Sequence, residues 1–283
     1  MLFDFFIVGG DKLLVYMAKF FAKKNYKVLT YGLYLNVVNS KIKRTDSLKY
    51  GIKNSKNIVC PAPFATDYIF LQCSGKKIYI RQLLMYISSY NNLFGGLIPN
   101  SVLEFAKNNN IFVYDYIKNE KFLIYNSIYT AEVAVAQAIL QNSVSMHFSM
   151  CLVLGFGNCG KLICNKLKNL CLDVFVCVDN NFQKSWANAY GYNTFNLDSL
   201  MFNVKKFNYI FNTIPKRILY GKILSNINKD AFILDITKEG VDWKQCEEAN
   251  IKVKYIPRII GRYNYISSAK ILTEIILNVI GNI

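Results

Sequence analysis

Histidine is almost missing: among 283 residues only His147 represents it. Zinc centres draw on three or four nitrogen and sulfur ligands held close together, so one histidine leaves that chemistry to cysteine. The eight cysteines (60, 73, 151, 159, 164, 171, 177 and 246) include no C-x-x-C pair, and no metal site is expected. Several lie inside apolar segments, where a reduced thiol packs as a small hydrophobe. Arginine is scarce too: Arg44, Arg81, Arg217, Arg258 and Arg262 are the only five among 34 basic residues. Nucleic-acid surfaces favour arginine's planar fork and clustered charge. The net charge of +16 is carried instead by lysines spread along the chain. That predicts a solvated basic surface that attracts anions over long range, and no nucleic-acid partner. No unbroken apolar run approaches the roughly 18 residues of a membrane span, so no membrane partner is expected. In MLFDFFIVGG no basic segment precedes the apolar run and Asp4 interrupts it. It reads as a buried strand of a cytoplasmic protein, not as a signal peptide.

What the chain does have is alternation. FDFFIVGG, KVLTYG, SKNIVCP, NNLFGG and IFVYDY read as strands, with helical patterns such as DKLLVYMAKFFAKK, RQLLMYISSY and SVLEFAKNN between them. Strands ending in Gly-Gly or Pro, with helices between, predict a parallel sheet with crossover helices. Residues 1–125 are thus expected to form a flavodoxin-like or Rossmann-like domain. The pattern recurs more clearly over residues 126–265, in MCLVLGFG, DVFVCVD, NYIFNTIP, AFILDITK and IKVKYIP. The expected architecture is α/β, two doubly wound parallel-sheet domains, the second a dinucleotide-binding Rossmann domain. SIYTAEVAVAQAILQNS should form a connector helix over 126–142. Residues 266–283 should form a terminal helix with Ser267 or Ser268 as N-cap.

Gly155-Phe156-Gly157-Asn158-Cys159-Gly160 matches G-x-G-x-x-G. The first glycine permits a tight turn, the second lets backbone approach a pyrophosphate, and the third allows close helix–strand packing. The helix that follows offers its N–H groups and positive dipole end. An apolar strand precedes the turn, an amphipathic helix follows it, and the next strand ends at Asp179, with Asn180 beside it. A carboxylate there accepts ribose hydroxyls and repels a 2′-phosphate. The cofactor is therefore NAD or NADP, with Asp179 favouring NAD; Lys184, a turn into the next helix, is a cation that could soften that preference. Ligands of open parallel sheets lie beyond the carboxyl ends of the strands. That places Thr213, Ile214 and Pro215 of NTIPK, and Ile236 and Thr237 of DITKEG, beside the nicotinamide ring.

A hydride-transfer site leaves redox chemistry to the cofactor and must chiefly position the substrate. Asn126, Ser127, Thr130 and Glu132 in YNSIYTAE are candidates for that work. Thr130 and Glu132 also suit the first turn of the connector as capping groups. Lys238, Arg258 and Arg262 near the ends of the last strands could neutralise an acidic substrate, or simply face solvent. His147 precedes the Rossmann strand, at the end of the sheet away from the ligand side, out of reach for a general base.

These segments also carry a family resemblance. IYNSIYTAE, LVLGFGNCGKLI, NTIP, FILDITKEG and YIPRIIG…SSAKIL follow one another as in the A subunit of dipicolinate synthase. Beginning at IVGGD, the chain resembles that family over nearly its whole length. The resemblance implies a two-domain NAD(P)-dependent oxidoreductase similar in architecture to the 2-hydroxyacid dehydrogenases. It implies, in endospore-forming bacteria, partnership with a flavoprotein-like B subunit. The implied reaction oxidises a dihydrodipicolinate-type intermediate to pyridine-2,6-dicarboxylate, a small dicarboxylate chemistry that suits cationic residues at the site. Tyr129 stands where the family usually has proline, and Asp179 where a basic residue is common. DITKEGVDW is shorter than the family's arginine followed by Pro-Gly-Gly, and Pro257-Arg258-Ile259-Ile260-Gly261 replaces its Pro-Gly-x-Pro-Gly loop. Two alternatives stay open: an oxidoreductase of another small acid, such as a 2-hydroxy acid, and a non-catalytic dinucleotide-binding subunit. Homo-oligomerisation is likewise left open.

Overall fold

The computed structural model describes residues 2–33, 39–65, 67–73, 76–256 and 263–282. The chain divides into two compact units, Met1–Tyr125 with Ile260–Ile283, and Asn126–Ile259.

In the first unit the elements run β1 (Phe3–Val8), α1 (Lys12–Lys23), β2 (Val28–Tyr31), β3 (Ile42–Arg44), α2 (Leu48–Lys53) and β4 (Ser55–Val59), then α3 (Ile80–Tyr86), β5 (Asn92–Gly95), α4 (Asn100–Asn108) and β6 (Phe112–Asp115). The six strands form a sheet in the order β3-β2-β1-β4-β5-β6, every pairing parallel. This is the Rossmann order of strands and not the flavodoxin one. Central β1 reads FDFFIV, and its last four residues are buried, as a strand covered by helices on both faces must be. Phe5 stacks on Phe21 of α1 with ring centroids 3.8 Å apart. At the turn from β1 to α1, Gly9 and Gly10 take positive φ (67° and 96°). Asp11 then caps α1, its carboxylate accepting from the Leu13 N–H at 2.9 Å. Burial, the largest influence on this carboxyl, pushes its pKa above the ordinary value.

The helix α5 (Glu120–Gln141) begins six residues before the connector expected at 126. The correction has a simple cause: Asn119, whose side-chain oxygen accepts from the Phe122 N–H, already closes the first turn. By length and composition alone α5 could cross a membrane, a property that counting unbroken apolar runs does not reveal. Its Ala131, Ala134 and Ala138 are fully buried in the core of the second unit.

The second unit continues through β7 (Met150–Leu154), α6 (Asn158–Leu167), β8 (Asp173–Val178), α7 (Asn181–Ala189) and β9 (Asn193–Asn196), then α8 (Leu200–Asn203), β10 (Tyr209–Asn212), α9 (Gly221–Ser225), β11 (Phe232–Asp235), α10 (Trp243–Glu248) and β12 (Lys252–Tyr255). Its strands lie in the order β12-β11-β10-β7-β8-β9, again all parallel. Read from β9, this is the wiring of the first sheet repeated. The order reverses between β7 and β10, the switch point at which open sheets bind ligands. Two apolar clusters cover the sheet, one including Phe156, Ile163 and Phe211, the other Leu152, Phe207 and Ile233.

The chain ends in α11 (Tyr265–Gly281), which packs along α1 in the first unit. Asn264 precedes this helix; the expected caps Ser267 and Ser268 lie inside it, and Ser268 is fully buried.

Candidate functional site

The turn after β7 is built as the three glycines require. Gly155 has φ +91°, and a methyl group there would sit 2.7 Å from Thr213 Oγ1. A methyl group at Gly160 would fall 2.2 Å from the Gly155 carbonyl oxygen, so the third glycine lets α6 close against the strand. Gly157 is different: a methyl group there would meet no atom within 4 Å. Gly157 is also the N-cap of α6, where no side chain caps the helix. Asn158 and Cys159 open that helix, whose N–H groups and dipole suit an anion. Phe156 is buried, and its N–H donates to Gln183 Oε1 at 2.8 Å.

Asp179 follows β8, as expected, and Asn180 caps α7. The Asn180 side-chain oxygen accepts from the Gln183 N–H at 2.8 Å, while its amide donates to Asp179 Oδ1 at 2.8 Å. Gln183 thus ties the glycine turn to the first turn of α7. The spacing of Asn180 and Gln183 signals the cap on α7, but the Gln183 side-chain oxygen is turned to the Phe156 N–H. Lys216, on the loop leaving β10, lies 4.0 Å from Asp179 Oδ2.

Thr213 donates through Oγ1 to the Leu154 carbonyl at 2.8 Å, and the Ile214 N–H donates to Asn212 Oδ1 at 3.2 Å. Pro215 follows, exposed. Asn212 and Asp235 are both fully buried, and the Asn212 amide donates to Asp235 Oδ1 at 2.9 Å. Thr237 adds two donors to the same oxygen, its N–H at 2.9 Å and its hydroxyl at 2.7 Å. This network fixes the NTIP loop against the loop carrying Ile236 and Thr237. Gly240 is required beside it, since a methyl group there would overlap the Asn212 amide. The carboxyl ends of β7, β8, β10 and β11 therefore bring together Gly155–Gly160, Asp179, Asn180, Thr213–Pro215, Ile236 and Thr237. Lys216, Gln183 and Asp235 join them without having been singled out by the sequence.

The other candidates stand elsewhere. Thr130 and Glu132 are ten and more residues into α5 and cap nothing, because the helix starts at Glu120. Thr130 Oγ1 donates to the Asn126 carbonyl at 2.8 Å, and Glu132 pairs with Lys166 of α6 at 3.3 Å. Ser127 is buried, and Asn126 keeps a buried side-chain oxygen with no hydrogen-bond partner. Lys238 is exposed at positive φ (73°), and its carbonyl accepts from the Trp243 indole at 3.2 Å. Arg258 and Arg262 lie outside the described residues. His147 sits exposed in the short turn Met146–Phe148 ahead of β7, at the amino end of the sheet. Among the described residues, no group of three or more histidines, cysteines and acids is placed to hold a metal ion.

Comparison with known proteins decides the kinship. Residues 4–117 match the N-terminal domain of the dipicolinate synthase A subunit. That match lies within the first unit. The dipicolinate synthase A subunit of Bacillus subtilis (strain 168) is 30% identical over 168 residues, 59% of this chain and 55% of that relative. The alignment thus spans about half of the curated relative's length. At the level of fold the likeness runs further. The dipicolinate synthase A subunit of Bacillus halodurans superposes with a TM-score of 0.89 at 18% identity, covering 99% of this chain and 98% of that one. An L-alanine dehydrogenase superposes at 0.63 with 10% identity, over 95% of this chain and 86% of its own. The resemblance to the A subunit of dipicolinate synthase read from the sequence holds, and the fold is that of Rossmann-type dehydrogenases.

Proposed function

We propose that the chain is a dipicolinate synthase A-like, NAD(P)-dependent oxidoreductase of the cytoplasm. Its reaction would oxidise a dihydrodipicolinate-type intermediate to pyridine-2,6-dicarboxylate for endospores, together with a flavoprotein-like B subunit. The observation that carries this reading is the bare opening of α6 at Gly157, a cradle that any larger residue would begin to fill. Asn158, Cys159 and Gly157 would hold the pyrophosphate through backbone. Asp179, steadied by Asn180, would take the adenosine ribose. Thr213, Ile214, Pro215, Ile236 and Thr237 would border the nicotinamide, held in place by the buried Asn212–Asp235 pair. When bound, the dinucleotide supplies the hydride acceptor. The protein's own part is orientation: aromatisation is strongly downhill, so a positioned substrate and one proton acceptor suffice. Asn126, Ser127, Thr130, Glu132 and Lys238 are the proposed substrate-side groups, with Arg258 and Arg262 for the carboxylates.

The decisive assay mixes purified protein with its B subunit, freshly generated dihydrodipicolinate, and either NAD or NADP. Reduced cofactor and pyridine-2,6-dicarboxylate should appear together in equal amounts. Binding of a dinucleotide with no turnover under these conditions would overturn the catalytic reading.

A further inference from the structure

Both oxygens of the Asp179 carboxylate are engaged, Oδ1 by the Asn180 amide at 2.8 Å and Oδ2 by Lys216 Nζ at 4.0 Å. The two partners of that ion pair reach each other from opposite sides. In the sheet β7 lies between β10 and β8, so the glycine turn is flanked by the loop bearing Lys216 and by Asp179. Lys216 is the cation of that loop that faces the carboxylate, because its neighbour Arg217 is turned to Asp242. A lone carboxylate after the second strand of a Rossmann domain selects ribose hydroxyls and repels a 2′-phosphate. A lysine set against it cancels the repulsion and supplies a counter-charge.

We propose that Lys216 admits NADP to the site, so that Asp179 and Lys216 together accept both dinucleotides where Asp179 alone would accept NAD. The inference rests on the reading of the Gly155–Gly160 turn as a dinucleotide site. The Lys216 side chain is 73% exposed and that of Asp179 37%, and ion pairs so open to water hold weakly. A 2′-phosphate carries up to about two negative charges near neutral pH. It is the stronger partner, and Lys216 turns from the carboxylate to the phosphate as a point charge.

The test titrates NADH and NADPH into the full chain by cofactor fluorescence, for wild type, K216A, K216R and K184A. Wild type should bind both. K216A should weaken NADPH about tenfold relative to NADH, the factor expected of one charge-assisted contact, and flatten the salt dependence of NADPH binding. K216R should keep the wild-type ratio, whereas a loss in K184A larger than that in K216A would assign the role to Lys184 and overturn that of Lys216. An unchanged NADPH-to-NADH ratio in K216A, with wild type binding either cofactor, overturns the role of Lys216 alone. Failure of wild type to bind either cofactor overturns the dinucleotide reading itself, and is seen before any variant is made. Since Lys216 is exposed, its replacement leaves the fold intact, which matching unfolding curves would verify.

Discussion

At the scale of single residues, the three glycines of one turn do three separable things. Gly155 and Gly160 are required by the protein's own atoms, whereas Gly157 has open space above it. Gly160→Ala drives a methyl group into the Gly155 carbonyl and should cost about 1–3 kcal/mol, the range for overpacking a tight site. Gly157→Ala meets nothing in the protein, so its unfolding midpoint should stay near wild type while dinucleotide affinity falls. Urea unfolding beside cofactor titration separates the two. A large loss of stability in Gly157→Ala would mean that this glycine serves the fold and not a ligand.

At the scale of elements, α10 shows how a short helix is held. Its N-cap Asp242 accepts from the Gln245 N–H at 3.2 Å and pairs with Arg217. The Gln245 hydrogen bond first, and Arg217 with it, hold this carboxyl below its ordinary value of 3.8. A carboxyl lowered by folding stabilises the protein above the unfolded value, and the benefit disappears as pH falls through the lowered one. Urea midpoints followed down through pH 3.8 should therefore drop less steeply in D242N than in wild type. Equal slopes would remove Asp242 from the acid response.

Elements with strong periodicity were legible from sequence. The apolar β7, the glycine turn, α6 and the acid after β8 announced one another, because each is local. The start of α5 was not, since Lys118 to Lys121 carries no apolar rhythm and its cap works through Asn119. Strands β3 and β9 were missed for another reason. Ile-Lys-Arg and Asn-Thr-Phe-Asn are edge strands whose pairing comes from a neighbour and not from their own apolar content. The Lys216–Asp179 contact lay further from reach still. It joins residues far apart in sequence, brought together only by the reversal of strand order at β7.

At the scale of the whole molecule, none of the eight cysteines is held in a disulfide; five are buried, and Cys73, Cys159 and Cys171 are partly exposed. Burial pushes the Cys177 thiol up to about 12 and Cys246 to about 11. A disulfide-forming aromatic reagent should therefore react quickly with no more than three thiols in the native protein, and with all eight after unfolding. Eight rapid equivalents without denaturant would contradict the packing of both units.

The same six-strand wiring occurs twice in this chain, and so does its first turn from strand to helix. In one copy Asp11 seals the opening of α1 with the protein's own carboxylate; in the other, α6 opens at a bare glycine. In the language of proton exchange, the Leu13 amide is shielded from solvent by its acceptor. The head of α6 has no side-chain cap to play that part. An anion from outside, held at that opening, would slow exchange there as Asp11 does in the first unit.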